Sequence, residues 1–267
     1  MALIEKLKNI ANAIRSKTNK TEEMTLERMA SEVEGIDTLQ GLDFEGVYDQ
    51  EQASELNQYY KDCIAYAEQI KAENPNPSGS WNEKFRYNNS LVYMPNLPMD
   101  NITQLSYAFS NCNYLQEINC DFSVLPKNSN VAYMFNYCVK LRKTGKIDLT
   151  NCSSANGIVQ YCYTLREVEL INALNIKTWT NSFSSCINLI IANVQSWKQG
   201  NISLSDSSKL SAESIHYIIS NALVNVNADG SATRTLTLHS TAKTNWQNSE
   251  YYAEDLALLS TKGITIA

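Results

Sequence analysis

The sequence predicts an α/β protein: a solenoid of repeats with parallel strands on one face and helical turns on the other, preceded by an α-helical N-terminal region. Three observations lead to this prediction. Apolar residues recur at helical spacing within residues 1–80, a frame of about 24 residues recurs five times within residues 81–205, and residues 206–267 alternate between helix and strand patterns. The turn-rich segment 74–80 separates the first part from the second.

Composition and charge exclude several classes of protein. The chain has 267 residues, of which 43% are hydrophobic, so it is long enough to bury a core. No stretch approaches the roughly 18 to 20 apolar residues of a membrane span, so we expect no membrane insertion. A net charge of −6 lacks the basic signature of a nucleic-acid binder. The acidity is segregated, since residues 1–80 carry 15 acidic and 8 basic side chains whereas residues 81–205 carry 7 acidic and 10 basic.

Residues 1–80 are predicted to form helices. An apolar stripe at +4, +3, +4 spacing marks a first helix within a helical module at 1–47. Residues 48–80 are predicted to form a long helix and a linker, because apolar residues there keep a 3.5-residue period. Two interpretations stay open: the long helix packs on its own domain, or it self-associates as a coiled coil. Under the second, the chain is a homo-oligomer, with a trimer favoured, held together through Leu3, Leu7, Ile10, Ile14, Leu56, Tyr60, Cys63, Ala67 and Ile70.

An internal repeat organises residues 81–205. Four cysteines, at 112, 138, 162 and 186, are 26, 24 and 24 residues apart. Each stands in the same frame, in which a first apolar residue is followed at +4 by a second, at +7 by Cys and at +10 by Leu. A fifth copy begins at Trp81, with Asn88 in place of the cysteine. The frame residues that we expect to be structural are Phe85, Phe109, Cys112, Leu115, Phe135, Cys138, Leu141, Cys162, Leu165, Phe183, Cys186 and Leu189.

The frame predicts how one repeat folds. Offsets of 0, +4, +7 and +10 place four side chains on one face of a short helix, and the stretch that follows, such as 165–170, alternates as a half-buried strand. A unit this small cannot bury its apolar face alone, so five coils are expected to stack. The cysteines are then expected to form a buried column of free thiols. Disulfides and metal ligation remain as alternatives, although no closely spaced Cys or His pairs support a metal site.

Residues 206–267 are predicted to form an α/β cap that closes the stack. Ser211 is placed to cap a helix over 211–224, and residues 232–239 alternate as a strand. A second helix is expected before Gly263 and a last strand after it.

The most regular copies of the frame are residues 109–115 (Phe-Ser-Asn-Cys-Asn-Tyr-Leu) and 134–141 (Met-Phe-Asn-Tyr-Cys-Val-Lys-Leu). They resemble the BspA-like leucine-rich repeats of bacterial surface and phage-encoded proteins. The opening segment 10–29 and the closing segment 210–266 look like the ends of tail-associated or fibre proteins of gut-bacterial phages. The resemblance implies a leucine-rich-repeat-type solenoid and a place in a phage virion, in a tail or head fibre. Thr144 departs from the pattern because it stands where the strand needs an apolar residue.

No pattern in the sequence favours catalysis, so we expect neither enzyme activity nor a cofactor. The chain has only two histidines. We expect His216 to be exposed or hydrogen-bonded, and His239 lacks an accompanying carboxylate or nucleophile motif. The three glycines of the repeat region are too far apart to form a phosphate-binding loop.

Binding is the function class that the repeats favour, because stacked repeats create an extended surface. In a first hypothesis the chain is a virion-associated fibre or adhesion protein whose partners are other virion proteins and a host-surface protein or glycan. In a second it is a structural or decoration component without receptor binding; a bacterial cell-surface protein is a weaker alternative, because no signal peptide is visible. The predicted binding residues point outward from the strands: Tyr93, Gln116, Glu117, Asn119, Arg142, Lys143, Arg166, Glu167, Glu169 and Asn193.

Overall fold

The computed structural model describes residues 50–125 and 130–267, with side chains from Gln58 onward. The described residues divide into two units, one that ends at Ala65 and one that spans Tyr66–Ala267. The helical module predicted at 1–47 lies outside the described residues. So do five of the predicted oligomerisation residues, namely Leu3, Leu7, Ile10, Ile14 and the side chain of Leu56.

The long helix predicted within residues 48–80 is present as α1, Gln50–Glu73. Its end is set by Asn74, whose backbone N–H and side-chain amide both donate to the carbonyl of Ile70, at 3.1 and 2.8 Å. Prolines at positions 75 and 77 prevent the helix from continuing.

The described chain after α1 is a mixed α/β structure with small parallel sheets and three further helices. None of the helices in the described residues is both long and apolar enough to cross a membrane. The strands are β1 (Gly79–Ser80), β2 (Tyr93–Met94), β3 (Ile102–Gln104), β4 (Glu117–Ile118), β5 (Lys143–Asp148), β6 (Glu167–Ile171), β7 (Ile191–Val194), β8 (Ile202–Leu204), β9 (Arg234–Leu238) and β10 (Ile264–Ile266). The helices are α2 (Ala212–Asn221), α3 (Ser240–Gln247) and α4 (Tyr252–Lys262), with a 3₁₀ turn at Ala173–Asn175.

The prediction of a leucine-rich-repeat-type solenoid is wrong. Instead of one sheet along one face, the described strands form four separate parallel sheets: β1 with β3, β2 with β4, β5–β6–β7, and β8–β9–β10 with β9 in the middle. No hydrogen-bonded strand ladder joins β4 to β5. β5 is bulged, because its register with β6 shifts between Lys143 and Lys146, around Gly145 at φ 68°.

The predicted helical turns are not helices either. Two residues of each repeat, two and six positions after the first frame residue, have a positive φ that a right-handed helix cannot accommodate. Some N–H groups bond within the repeat, as Asn88 does to the Phe85 carbonyl, whereas Phe85 itself donates to the Ala108 carbonyl of the next repeat, both at 2.9 Å. The residues of the frame, although spaced as in a helix, therefore lie in a run of turns whose backbone groups bond partly to the next repeat. The positive-φ positions are Glu83, Tyr87, Tyr107, Asn111, Tyr133, Tyr137, Gly157, Tyr161, Asn181 and Ser185.

The frame residues fill the core, as predicted. Every one of the twelve is buried, and ten of them are 0% exposed. The rings of Phe85, Phe109 and Phe135 stack in succession at centroid distances of 5.5 and 5.3 Å. This packing links consecutive repeats where the strand pairing is interrupted.

The cysteines form the buried column that the frame predicts, and all seven in the chain are free and buried. Each thiol of the column donates to a carbonyl of the preceding repeat, as Cys138 Sγ does to Phe109 O at 3.0 Å. In the first repeat, Asn88 instead donates its side-chain amide to the Tyr66 hydroxyl at 2.8 Å. Asn replaces Cys there because α1, rather than another repeat, precedes it.

The C-terminal region follows the predicted order with one difference. Ser211 caps α2 by accepting the N–H of Ser214 at 3.1 Å. The single helix predicted before Gly263 is divided into α3 and α4. Gly263, at φ 69°, ends α4, and a Cβ at this position would lie 2.0 Å from the Asn225 carbonyl oxygen. Only glycine fits this turn.

Candidate functional site

Tyrosines occupy five of the ten positive-φ positions in the repeats. A residue with a Cβ is held in this conformation at a cost of roughly 1 kcal/mol or more, and a bulky side chain there is unusual. The two columns of positive-φ positions therefore concentrate aromatic side chains that local backbone preference does not favour. Such an outlier points to a role for the side chains themselves.

The first column consists of the positions two residues after the first frame residue. It contains two stacked tyrosine rings and a cation that lies against one of them. Tyr107 and Tyr133 are parallel, with centroids 4.8 Å apart and an interplanar angle of 9°. The guanidinium carbon of Arg86 lies 5.0 Å from the Tyr107 centroid, a cation–π distance. Arg86 is also bound to Glu83 at 2.9 Å. At the other end the Tyr133 ring lies over Gly157, where a Cβ would come within 2.3 Å of two ring carbons.

Two tyrosines of the second column, Tyr137 and Tyr161, lie close to Tyr163, and we call these three residues the tyrosine cluster. Tyr137 and Tyr161 stack at 4.3 Å, and Tyr163 is tilted by 59° against Tyr161 at 6.2 Å. Tyr137 and Tyr163 are 37% and 38% exposed. Partial desolvation and the neighbouring phenols Tyr161 and Tyr163 raise the pKa of Tyr137, so the hydroxyl stays a neutral donor and acceptor at physiological pH.

Three exposed cations follow these tyrosines along the chain, and we call them the cationic edge: Lys140, Arg142 and Arg166. Arg142 and Arg166 occupy the same position in consecutive repeats, where the N–H of Arg166 donates to the carbonyl of Arg142 at 2.8 Å. The hydroxyl of Thr164 donates to the carbonyls of Val139 and Leu141, at 3.0 and 2.9 Å. These bonds fix the two repeats in register at the corner where turn passes into strand.

The name corner surface is used here for the tyrosine cluster together with the cationic edge. Leu165 is fully buried, whereas Tyr163 before it and Arg166 after it are exposed, so both groups contribute side chains to the protein surface. Residues 121–167 contain six Lys or Arg and three acidic residues, Asp121, Asp148 and Glu167. Asp148 is half-buried and accepts hydrogen bonds from Thr150.

The residues predicted to bind from the strands divide between two sheets. Arg142, Lys143 and Arg166 are exposed, and the other seven are half-buried. On β5 and β6, Lys143 lies opposite Glu167, and Lys146 forms an ion pair with Glu169 at 3.3 Å. Asn193 lies opposite Glu169 on β7. The structure thus brings Arg142, Lys143, Arg166, Glu167, Glu169 and Asn193 together on or beside the β5–β6–β7 sheet.

The remaining predicted binding residues lie on or beside the separate β2–β4 pair. Tyr93 is opposite Glu117, and the Asn119 amide donates to the Tyr93 hydroxyl. Gln116 accepts the N–H of Arg142 through its backbone carbonyl, at 3.5 Å.

Four residues of the predicted oligomerisation face lie on the described part of α1. Tyr60 is half-buried, and Cys63, Ala67 and Ile70 are 8%, 1% and 3% exposed. Ile70 belongs to the core of the unit that begins at Tyr66. Because Ala67 and Ile70 are covered within their own chain, the self-association hypothesis depends on the residues before them.

The cysteines offer little chemistry. Burial raises the pKa of Cys112, Cys120, Cys152 and Cys186 to about 12, so these thiols are neither nucleophilic nor ready metal ligands at neutral pH. Among the described residues, no group of three or more His, Cys, Asp or Glu is placed to hold a metal ion.

Both histidines have structural partners. His216 Nδ1 is 2.8 Å from Asp255 Oδ1, and Trp246 Nε1 donates to Asp255 Oδ2 at 2.7 Å. The Asp255 side chain is fully buried, so it orders the packing of three helices. His239 caps α3 by accepting the N–H of Thr241 at 3.1 Å. The expectation that His216 is hydrogen-bonded is confirmed.

Sequence reasoning missed the tyrosine columns. A signal was present, because the same two positions hold Asn111, Gly157 and Asn181, residue types that favour the left-handed conformation. Aligning the five frames at +2 and +6 would have marked both columns.

No protein-family model, curated protein or solved structure matches this chain.

Proposed function

We propose that the protein is a non-enzymatic recognition component of a phage virion, of the fibre or adhesion type. In this proposal the N-terminal segment anchors or oligomerises the chain, with a homotrimer favoured, and associates with other virion proteins. The repeat region presents a recognition surface to a receptor on the host cell. The virion setting rests on the resemblance of the frame and of both ends of the sequence to BspA-like and phage-encoded proteins.

The observation that carries the recognition role is the corner surface. Exposed Tyr and Arg side chains are the residue types that contribute most to binding energy at interfaces. Their backbone is held by hydrogen bonds between repeats, so little ordering entropy opposes binding. The strained backbone beneath Tyr137 and Tyr161 has a reason if their side chains are needed at that place.

Binding of the labelled full-length protein to intact cells of a panel of gut bacteria tests this function. We expect saturable binding to at least one strain, which excess unlabelled protein displaces. Periodate or protease treatment of the cells then separates a glycan receptor from a protein receptor. Light scattering on the same preparation measures the oligomeric state, for which we expect a trimer.

Two results would count against the proposal. An oligomeric protein that binds no strain, while antibodies to it label phage particles, would favour the structural or decoration role. A strictly monomeric protein that still binds cells would refute oligomerisation through the N-terminal segment and leave the recognition role standing.

A further inference from the structure

We propose that Tyr137 and Tyr161 form an oxidative cross-linking site, at which hydrogen peroxide and a haem peroxidase join the two rings as dityrosine. The new bond ties two consecutive repeats together covalently. This inference does not depend on the proposed recognition function, and each stands if the other fails.

The two rings are already in contact. Their centroids are 4.3 Å apart, with an interplanar angle of 29°, a separation below the roughly 4.5–7 Å typical of aromatic pairs. The hydroxyls lie at the same end of the stack, because a hydrogen bond with Tyr161, after partial desolvation and the nearby phenols, contributes to the raised pKa of Tyr137. The ring carbons next to the hydroxyls, which are the carbons that couple, therefore lie side by side.

The backbone holds both rings in place. The N–H of Tyr137 donates to the Gln160 carbonyl, and the N–H of Tyr161 donates to the Ser184 carbonyl, both at 2.9 Å. Each tyrosine is followed directly by a fully buried cysteine of the column. Reactive groups held at contact distance react as if present at very high concentration, about 10⁵ M or more in favourable cases. Coupling within the pair should therefore be faster than coupling between molecules.

Tyrosines, rather than sulfur groups, are the oxidisable side chains at the surface of the described residues. Cys and Met usually compete for oxidants when they are exposed. Every Cys, Met and Trp whose side chain the structure describes is at most 8% exposed. Tyr137 and Tyr163 are 37% and 38% exposed, so an oxidant that stays outside the core reaches them. Tyr163 lies 6.2 Å from Tyr161 and is a second point of entry to the pair.

The reaction balances with peroxide as the oxidant. Each phenol gives up one electron and one proton, and the two phenoxyl radicals couple through the carbons next to their oxygens. The hydrogens on the coupled carbons then move to the oxygens as protons, so both hydroxyls are restored. Hydrogen peroxide takes up the two electrons and two protons and leaves as two molecules of water. The cross-linked protein is lighter by two hydrogen atoms.

The test treats the full-length protein with a haem peroxidase and hydrogen peroxide and then digests it with trypsin. Cleavage after Lys and Arg places Tyr137 in the peptide 128–140 and Tyr161 in the peptide 147–166. Mass spectrometry should detect these two peptides joined, at the sum of their masses less two hydrogen atoms. Fragmentation of the joined pair should assign the bond to Tyr137 and Tyr161.

Three phenylalanine variants locate the bond. Tyr137→Phe and Tyr161→Phe each keep the ring and remove the phenol that must lose hydrogen, so each should lower the yield of the joined peptides about tenfold or more. Tyr133→Phe is the matched control, because it makes the same change within the peptide 128–140 and should leave the yield unchanged. Melting temperatures close to that of the parent show that the variants keep the fold.

The first column supplies an internal comparison. Tyr107 and Tyr133 stack at 4.8 Å, but both are half-buried, and Arg86 lies against Tyr107. The positive charge opposes removal of an electron from that ring, so this pair should couple less than Tyr137 and Tyr161 do.

Three results would overturn the inference. The first is oxidised protein without the joined peptides. The second is an equal yield in the Tyr137→Phe and Tyr133→Phe variants. The third is a fraction of joined peptides that rises with protein concentration, as it does when the bond forms between molecules.

Discussion

Replacing Gly157 with alanine is expected to destabilise the protein by about 2–5 kcal/mol, the sum of two separable costs. Gly157 has φ 56°, and a side chain in this conformation costs roughly 1–2 kcal/mol. The added Cβ would also lie 2.3 Å from the Cδ1 and Cε1 atoms of Tyr133. Displacing that ring from its stack on Tyr107 is an overpacking change, which costs about 1–3 kcal/mol.

Gly145 supplies the matched control. It has φ 68°, but a Cβ there would meet nothing within 4 Å. Gly145→Ala should therefore cost only the conformational part, roughly 1–2 kcal/mol. The difference between the two variants isolates the contact with Tyr133.

Equilibrium urea unfolding, followed by tryptophan fluorescence, measures both variants. All four tryptophans are at most 3% exposed, so their emission reports loss of the core. In a Tyr133→Ala background the excess cost of Gly157→Ala should disappear, because the ring that it displaces is gone. Equal destabilisation by the two glycine variants, or an excess that persists without Tyr133, would refute the account of the column.

Two further predictions concern buried polar groups. Between the unfolded thiol pKa near 9 and the folded values of about 12 for Cys112 and Cys186, only the unfolded chain releases the proton. Stability should accordingly be unaffected by these groups at pH 7 and should fall as pH rises above about 9, by about 1.4 kcal/mol per pH unit for each thiol. Urea unfolding at pH 8, 9 and 10 tests this. The prediction would be contradicted if the unfolding free energy fell as steeply with pH in the Cys112→Ser variant as in the parent. Separately, Asp255→Asn should cost roughly 2–3 kcal/mol in the same assay, because the amide cannot accept from both His216 and Trp246. Asp229→Asn, in an exposed loop, should change stability by less than about 0.5 kcal/mol, and a similar loss in both variants would argue against the buried network.

The sequence predicted which residues form the core because burial follows a repeated apolar pattern. Phe109, Cys112 and Leu115 recur in phase, and their counterparts are buried in every repeat except for Asn88, which is half-buried. The same pattern misled the prediction of local structure. Offsets of +4 and +7 suit a helix, yet a run of turns with positive φ at Tyr133 and Tyr137 satisfies them equally.

The exposure of the predicted binding residues followed from the sequence only in part. Arg142 and Arg166 were expected to point outward and are exposed. The tyrosines of the cluster were not assigned to the site, because their place depends on two backbone positions per repeat that helical spacing does not show. The ion pair of Lys146 with Glu169 likewise depends on a bulge in β5, which no local pattern in the sequence marks.

The sequence by itself determined the repeat frame, the buried cysteine column, the helix α1 and, apart from the division of the last helix into α3 and α4, the order of elements after Ser211. Those features depend on the spacing of residues along the chain and on the burial of apolar side chains, and the sequence shows both directly. The tertiary structure alone decided that the strands form four small sheets and that the tyrosines stand in columns. These features depend on which backbone groups of one repeat bond to the next repeat, and the spacing of apolar side chains does not specify that pairing.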